Sequence, residues 1–197
     1  MWNLKEEEIA RRILASELPG IWNHDLPVPE GMVGLLLVNE KLDRVYGPGT
    51  LRVSSGLAQF FGLGTKNAVV LARAHELSLD FPVAHVLTRD PVFLDFNCQL
   101  LVKLQQGAET LFLRNILAGR DSLTFADFKQ RLSGELKEVA QSFLGKRSIA
   151  DLADHLEIKP ELEAEIELNL KRTLGSAGLA FLRLSTADFH CDAWNEQ

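Results

Sequence analysis

Two cysteines, Cys98 and Cys191, are all the thiols in this 197-residue chain. That is too few for a disulfide framework, and it fits a reducing compartment. Long apolar runs are missing as well: none approaches the roughly 18 residues that a membrane-spanning helix needs. The acidic start, Met1-Trp2-Asn3-Leu4-Lys5-Glu6-Glu7-Glu8, has no apolar core of a signal peptide. The expectation is a soluble cytoplasmic chain, with a position peripheral to a membrane left open. Basic blocks are also lacking. The 21 Lys and Arg residues are scattered among 27 Asp and Glu, giving a formal net charge of −6. This balance argues against nucleic acid as a partner and against strong attraction to anionic lipid. Internal repeats and low-complexity stretches are absent.

What is present is an ordinary globular composition, 46% hydrophobic and 24% charged, in a chain long enough for one compact domain and an arm. Asn3 followed by Glu6 reads as a helix start, with Ile9, Ile13, Leu14 and Leu18 as a narrow apolar stripe ended by Pro19-Gly20. Residues 1–27 are thus expected to be a helical arm and linker. The stripe docks either on its own domain or between subunits.

From Met32 to Val38 the chain is apolar on both faces, as a buried strand is. Asn39 to Asp43 turns it, Arg44 to Tyr46 returns, and Gly47-Pro48-Gly49 breaks the pairing. The strongest periodicity follows later. Val92, Leu94, Phe96, Cys98, Leu100, Val102 and Leu104 fall on one face of a long strand, and Phe93, Asp95, Asn97, Gln99 and Lys103 on the other. Leu77, Leu79, Phe81 and Val83 repeat the alternation, and Thr88-Arg89-Asp90-Pro91 supplies an antiparallel turn.

After Gly107 the period becomes helical. The spacing predicts a short helix over 108–118. A longer one opens at Thr124 with Asp127, carrying Phe125, Phe128, Leu132, Leu136, Val139 and Phe143. A third starts at Ser148 with Asp151, and a fourth has Pro160 in its first turn and Gly175 at its end. Leu179 to Leu184 reads as a closing strand. This order implies an α+β fold: a mostly antiparallel sheet with amphipathic helices packed on one face.

Several of these segments together resemble a known family. Val28-Pro29-Glu30-Gly31 before an apolar strand, then Tyr46-Gly47-Pro48-Gly49, is similar to the first hairpin of SPFH (band 7) domains, the stomatin, prohibitin and flotillin type. Leu87-Thr88-Arg89-Asp90-Pro91-Val92 resembles the T-x-D-x-V start of that family's central strand. Leu174-Gly175-Ser176-Ala177-Gly178-Leu179, then Phe181-Leu182-Arg183-Leu184, is similar to its last helix and closing strand. The resemblance spans residues 28–190, leaving 191–197 as a tail. It implies a non-enzymatic scaffold that self-associates, with other proteins and a membrane surface as further partners. Two family features are missing, an apolar anchor before the domain and a long charged helical tail after it. The expectation is either a fragment of a longer protein or a soluble variant.

Candidate chemistry is sparse. His190-Cys191-Asp192 combines nucleophile, base and carboxylate, but sequence neighbours on an extended chain point different ways. Cys98 lies on an apolar strand face, where a thiol acts as a small hydrophobe. The histidines His24, His75, His85, His155 and His190 have no metal-ligand spacing. His85 shares an apolar strand face with Phe81 and Val83, which suggests a core or interface imidazole. Gly62-Leu63-Gly64-Thr65-Lys66 lacks the P-loop spacing. No catalytic residue, cofactor or metal is expected. The stretch Ser54 to Asn67 carries Leu57, Phe60, Phe61 and Leu63, which either fold over a sheet end or contact a partner. With Ile9, Ile13 and Leu14, these are the candidate interaction residues.

Overall fold

A computed structural model describes residues 2–14, 17, 24–53, 67–152 and 155–191. Among them the chain is α+β, with ten strands in mostly antiparallel sheets and four α-helices. It divides into two compact units, Met1–His75 with Leu104–Asp127, and Glu76–Lys103 with Phe128–Gln197. Residues 28–190 are thus shared between both units, and 1–27 belong to the first.

The first unit contains β1 (Glu8–Leu14), β2 (His24–Val28), β3 (Met32–Val38), β4 (Lys41–Tyr46), β5 (Gly49–Val53), β6 (Ala68–Arg73) and β9 (Ser122–Thr124). Five of them form a sheet in the order β4-β3-β6-β1-β9, and β2 pairs with β5 in a ribbon. β3 and β6 are the apolar strands, and Ala68 to Ala72 are buried throughout. Leu26, Val28 and Leu51 of the ribbon cluster with Leu36, Val69 and Leu71 of the sheet. This covering of the sheet explains why β3 and β6 do not alternate. The β3–β4 turn is Asn39-Glu40, both in the left-handed region at φ 51° and 65°. That geometry matches the twist of a two-residue hairpin.

Residues 8–14 correct the expected helical arm. They form β1, laddered on one side with β6 (Ile13↔Val69) and on the other with β9 (Arg11↔Ser122). A stripe of a few residues is a weak helical signal, and β-branched Ile9 and Ile13 suit a strand equally well. Two neighbouring ladders then decide the outcome. The expected cap fails too: the Glu8 carboxylate, not that of Glu6, accepts a backbone N–H, from Lys5 at 2.9 Å. Arg73 fastens the same segment, donating to the carbonyls of Lys5, Glu6 and Glu8.

Also in this unit are α1 (Glu109–Leu111) and a π-helix, Phe112–Leu117, where a continuous α-helix was expected. Ala118 and Gly119, at φ 49° and 75°, stop it at the expected place.

The second unit contains β7 (Leu77–Leu87), β8 (Phe93–Leu104) but for its last residue, and β10 (Leu179–His190), in the order β10-β8-β7. β7 and β8 are antiparallel, with Leu79↔Leu100 and Phe81↔Cys98 as pairs. The alternation is as expected: Leu94, Phe96, Cys98, Leu100, Val102 and Leu104 are buried, and Leu101 is buried as well. Helix α2 (Phe125–Leu144) turns Phe128, Leu132, Leu136, Val139 and Phe143 inward. Helix α3 (Ile149–Leu152) is capped by Ser148 and Asp151, whose groups exchange hydrogen bonds at 2.8 and 3.2 Å. Helix α4 (His155–Ser176) buries Leu162, Ile166, Leu170 and Leu174. It starts earlier than expected, so Pro160 lies inside it. It also runs past Gly175, and Gly178 at φ 71° takes the left-handed position before β10.

Candidate interaction surface

Alternation along β7 and β8 leaves one sheet face wet. Ser78, Asp80 and Pro82 of β7, and Phe93, Asp95 and Asn97 of β8, are exposed on it. The turn between the strands is tightly closed. The Thr88 N–H and hydroxyl both reach the Val92 carbonyl at 3.0 Å. The Asp90 carboxylate accepts the Ile149 N–H at 3.0 Å, and the Arg89 N–H donates to the Arg147 carbonyl at 2.9 Å. The Arg89 guanidinium lies 3.5 Å from Asp151. The Thr-Arg-Asp-Pro turn is thereby tied to the start of α3.

Beside this turn the ladder is irregular. Val83 pairs with Phe96 but Val86 with Leu94, so β7 has one residue too many. The bulge turns His85 outward, at φ 59° and with 82% of its side chain exposed. This corrects its expected place on the apolar face with Phe81 and Val83, because one extra residue inverts the alternation. The His85 N–H donates to Asp95 Oδ1 at 2.9 Å, and its Nδ1 lies 3.4 Å from the same oxygen. The His85 backbone N–H, then its ring, hold the Asp95 carboxyl below the usual carboxylate range.

β10 continues the surface. Phe189 stacks on Phe96 with ring centroids 5.3 Å apart, and the Cys191 thiol lies 3.7 Å from the Phe93 carbonyl oxygen. Partners thus descend along β8 as β10 ascends, which sets exposed His190 near Asp95.

Phe93 is 62% exposed, and its cross-strand partner Leu87 is 37% exposed. The His85 and Phe93 rings are 6.2 Å apart and tilted by 50°. An aromatic among polar neighbours on a wet strand face was visible in the alternation; that Leu87 and His85 join it depends on register and bulge, which were not.

The sheet edges are blunted against strand addition. β7 carries Pro82 and the bulge, β9 has three residues, and β4 has a register shift with Lys41, Asp43 and Arg44 exposed. On β10, the Lys159 ammonium takes the Ser185 carbonyl at 2.6 Å.

The sequence-derived candidates fare differently. Strand alternation puts Ile13 and Leu14 on opposite faces, and Ile9 falls at a register shift between β1 and β9, so the three form no single stripe. Ile9 is buried, Ile13 half-buried and Leu14 38% exposed. Leu57, Phe60, Phe61 and Leu63, and the Gly62–Lys66 segment, lie outside the described residues. Cys98 is buried, and burial, then the Asp80 charge, pushes its thiol up to about 12. Cys191 is buried, His190 is exposed, and Asp192 lies outside the described residues. Among the described residues, no three of His, Cys, Asp or Glu converge as metal ligands, and no helix is long and apolar enough to cross a membrane.

No family model and no curated protein matches the sequence.

Proposed function

We propose that the chain is a non-enzymatic assembly domain of the SPFH (band 7) type, acting through protein–protein association, with a membrane surface as a further contact. The observation that carries this reading is the order in which the family-like motifs occupy structural elements. Val28-Pro29-Glu30-Gly31 leads from β2 into β3, and Gly47-Pro48 separates β4 from β5, which Gly49 begins. Thr88 to Pro91 forms the β7–β8 turn, and Gly178 precedes the closing strand β10. Each motif alone is common, but four in register with the chain's turns are more specific. The blunted sheet edges favour association through faces and helices.

The test is sedimentation velocity over a concentration series. Reversible growth in size supports assembly, and Phe60→Asp with Phe61→Asp is expected to reduce it while the far-UV circular dichroism stays unchanged. A chain that remains monomeric at the highest soluble concentration overturns the reading.

A second reading, a monomeric adaptor for a protein or peptide, draws support from the exposed Phe93 and Leu87 pair. It predicts a one-to-one complex and no self-association.

A further inference from the structure

We propose that the wet face around Phe93 docks a partner segment in which a lysine or arginine stands beside an apolar side chain. This rests on reading the chain as an interaction domain, and it names the chemistry of the partner.

Phe93 offers a ring that is 62% exposed, and Leu87 directly across adds an exposed apolar neighbour. A ring face attracts a cation, most of all when a carboxylate stands beside it. Asp95 is that carboxylate, two residues along the same strand face. The His85 N–H bonded to it at 2.9 Å favours its ionised form. Asp188, exposed and two residues before His190 on β10, adds a second negative charge to this end of the sheet. The sign of the patch selects a basic partner and disfavours phosphate-rich lipid or nucleic acid. The route is over the face, since Pro82 and the bulge at His85 obstruct strand addition along β7. The ammonium or guanidinium of the partner lies over Phe93 and pairs with Asp95, while its apolar neighbour covers Leu87.

The experiment uses a fluorescein-labelled peptide of alternating leucine and arginine, with a leucine–glutamate peptide as control, read by fluorescence anisotropy. Saturable binding of the arginine peptide alone is expected. Phe93→Ser should weaken it about tenfold, the scale of one exposed phenylalanine becoming buried. Asp95→Asn keeps the acceptor for His85 and should weaken binding about threefold, as for an exposed ion pair. Glu167→Gln on α4 removes the same charge elsewhere and should leave binding unchanged. The proposal is overturned if wild type binds neither peptide, if both peptides bind alike, if Phe93→Ser binds like wild type, or if Glu167→Gln weakens binding as much as Asp95→Asn. Sedimentation of the same samples separates the two ideas. Wild type that self-associates yet ignores the arginine peptide overturns this proposal alone, and a monomer that binds it overturns assembly alone.

Discussion

Asp95 holds His85 in a backbone conformation that side-chain-bearing residues seldom adopt. The His85 N–H donates to Asp95 Oδ1 at 2.9 Å while its φ is 59°. Left-handed backbone crowds Cβ against a carbonyl oxygen, and a β-branched side chain suffers most. His85 already bears the general cost of a side chain here, so His85→Val is expected to destabilise the protein modestly through its β-branch, and His85→Gly to match wild type or exceed it by up to about 1–2 kcal/mol. Urea unfolding midpoints compare the three. Equal midpoints for valine and glycine would mean that the bulge carries no such strain.

Thr124 and Asp127 cap each other at the start of α2. Asp127 Oδ2 accepts the Thr124 N–H at 3.0 Å and its hydroxyl at 2.6 Å, while Thr124 Oγ1 accepts the Asp127 N–H at 3.1 Å. Thr124→Ala is expected to cost about 1 kcal/mol, as is usual for an N-cap. Asp127→Ala should cost a similar amount, and the double variant less than the sum, since one bonded unit is lost. Strict additivity in denaturant titrations would contradict the reciprocal cap.

The capping pair was legible in the sequence because its chemistry is local, as were Ser148 with Asp151 and the alternation of β7 and β8. Patterns that need only near neighbours survive folding. Residues 8–14 show the opposite. Their few apolar positions fit either period, and ladders to β6 and β9, formed with residues far along the chain, decide for strand. Proline's preference for a first turn points to that position for Pro160; α4 instead tolerates it further in, where it forfeits one helical hydrogen bond. The candidate surface was half visible. Phe93 already stood among polar neighbours, but no local rule announces the bulge that turns His85 toward it.

Glu8 makes the first unit sensitive to acid. Burial alone would raise its pKa. The bonds from Arg11, at 2.7 and 3.2 Å, and from the Lys5 N–H at 2.9 Å outweigh that and lower it below the ordinary value. A carboxyl with a depressed folded pKa binds its proton more readily in the unfolded chain. Its contribution is therefore fully present above the ordinary glutamate range and is lost as pH falls through the lower folded value. Wild type should lose stability over that window, while Glu8→Gln, which cannot ionise, should show a flatter profile and lower stability at neutral pH. Parallel stability–pH curves for the two proteins would remove Glu8 as the cause.

Gly34 sets how closely the β2–β5 ribbon lies on the sheet. A Cβ added there would stand 2.8 Å from Leu51 Cδ1 and 3.1 Å from Val28 Cγ2. In an open strand, alanine in place of glycine is stabilising, because it restricts the unfolded chain. Leu51 is fully buried, so its methyl group cannot swing into water to make room. Steric cost is expected to win, and Gly34→Ala should destabilise the protein by about 1–3 kcal/mol, the range for overpacked cores. Leu51→Val withdraws the crowding methyl and leaves a small void of its own. If crowding is the cause, Gly34→Ala should cost less in the Leu51→Val background than in wild type, a coupling of about 0.5 kcal/mol or more. An alanine that stabilises wild type, or costs the same in both backgrounds, would show that the ribbon can retreat from the sheet.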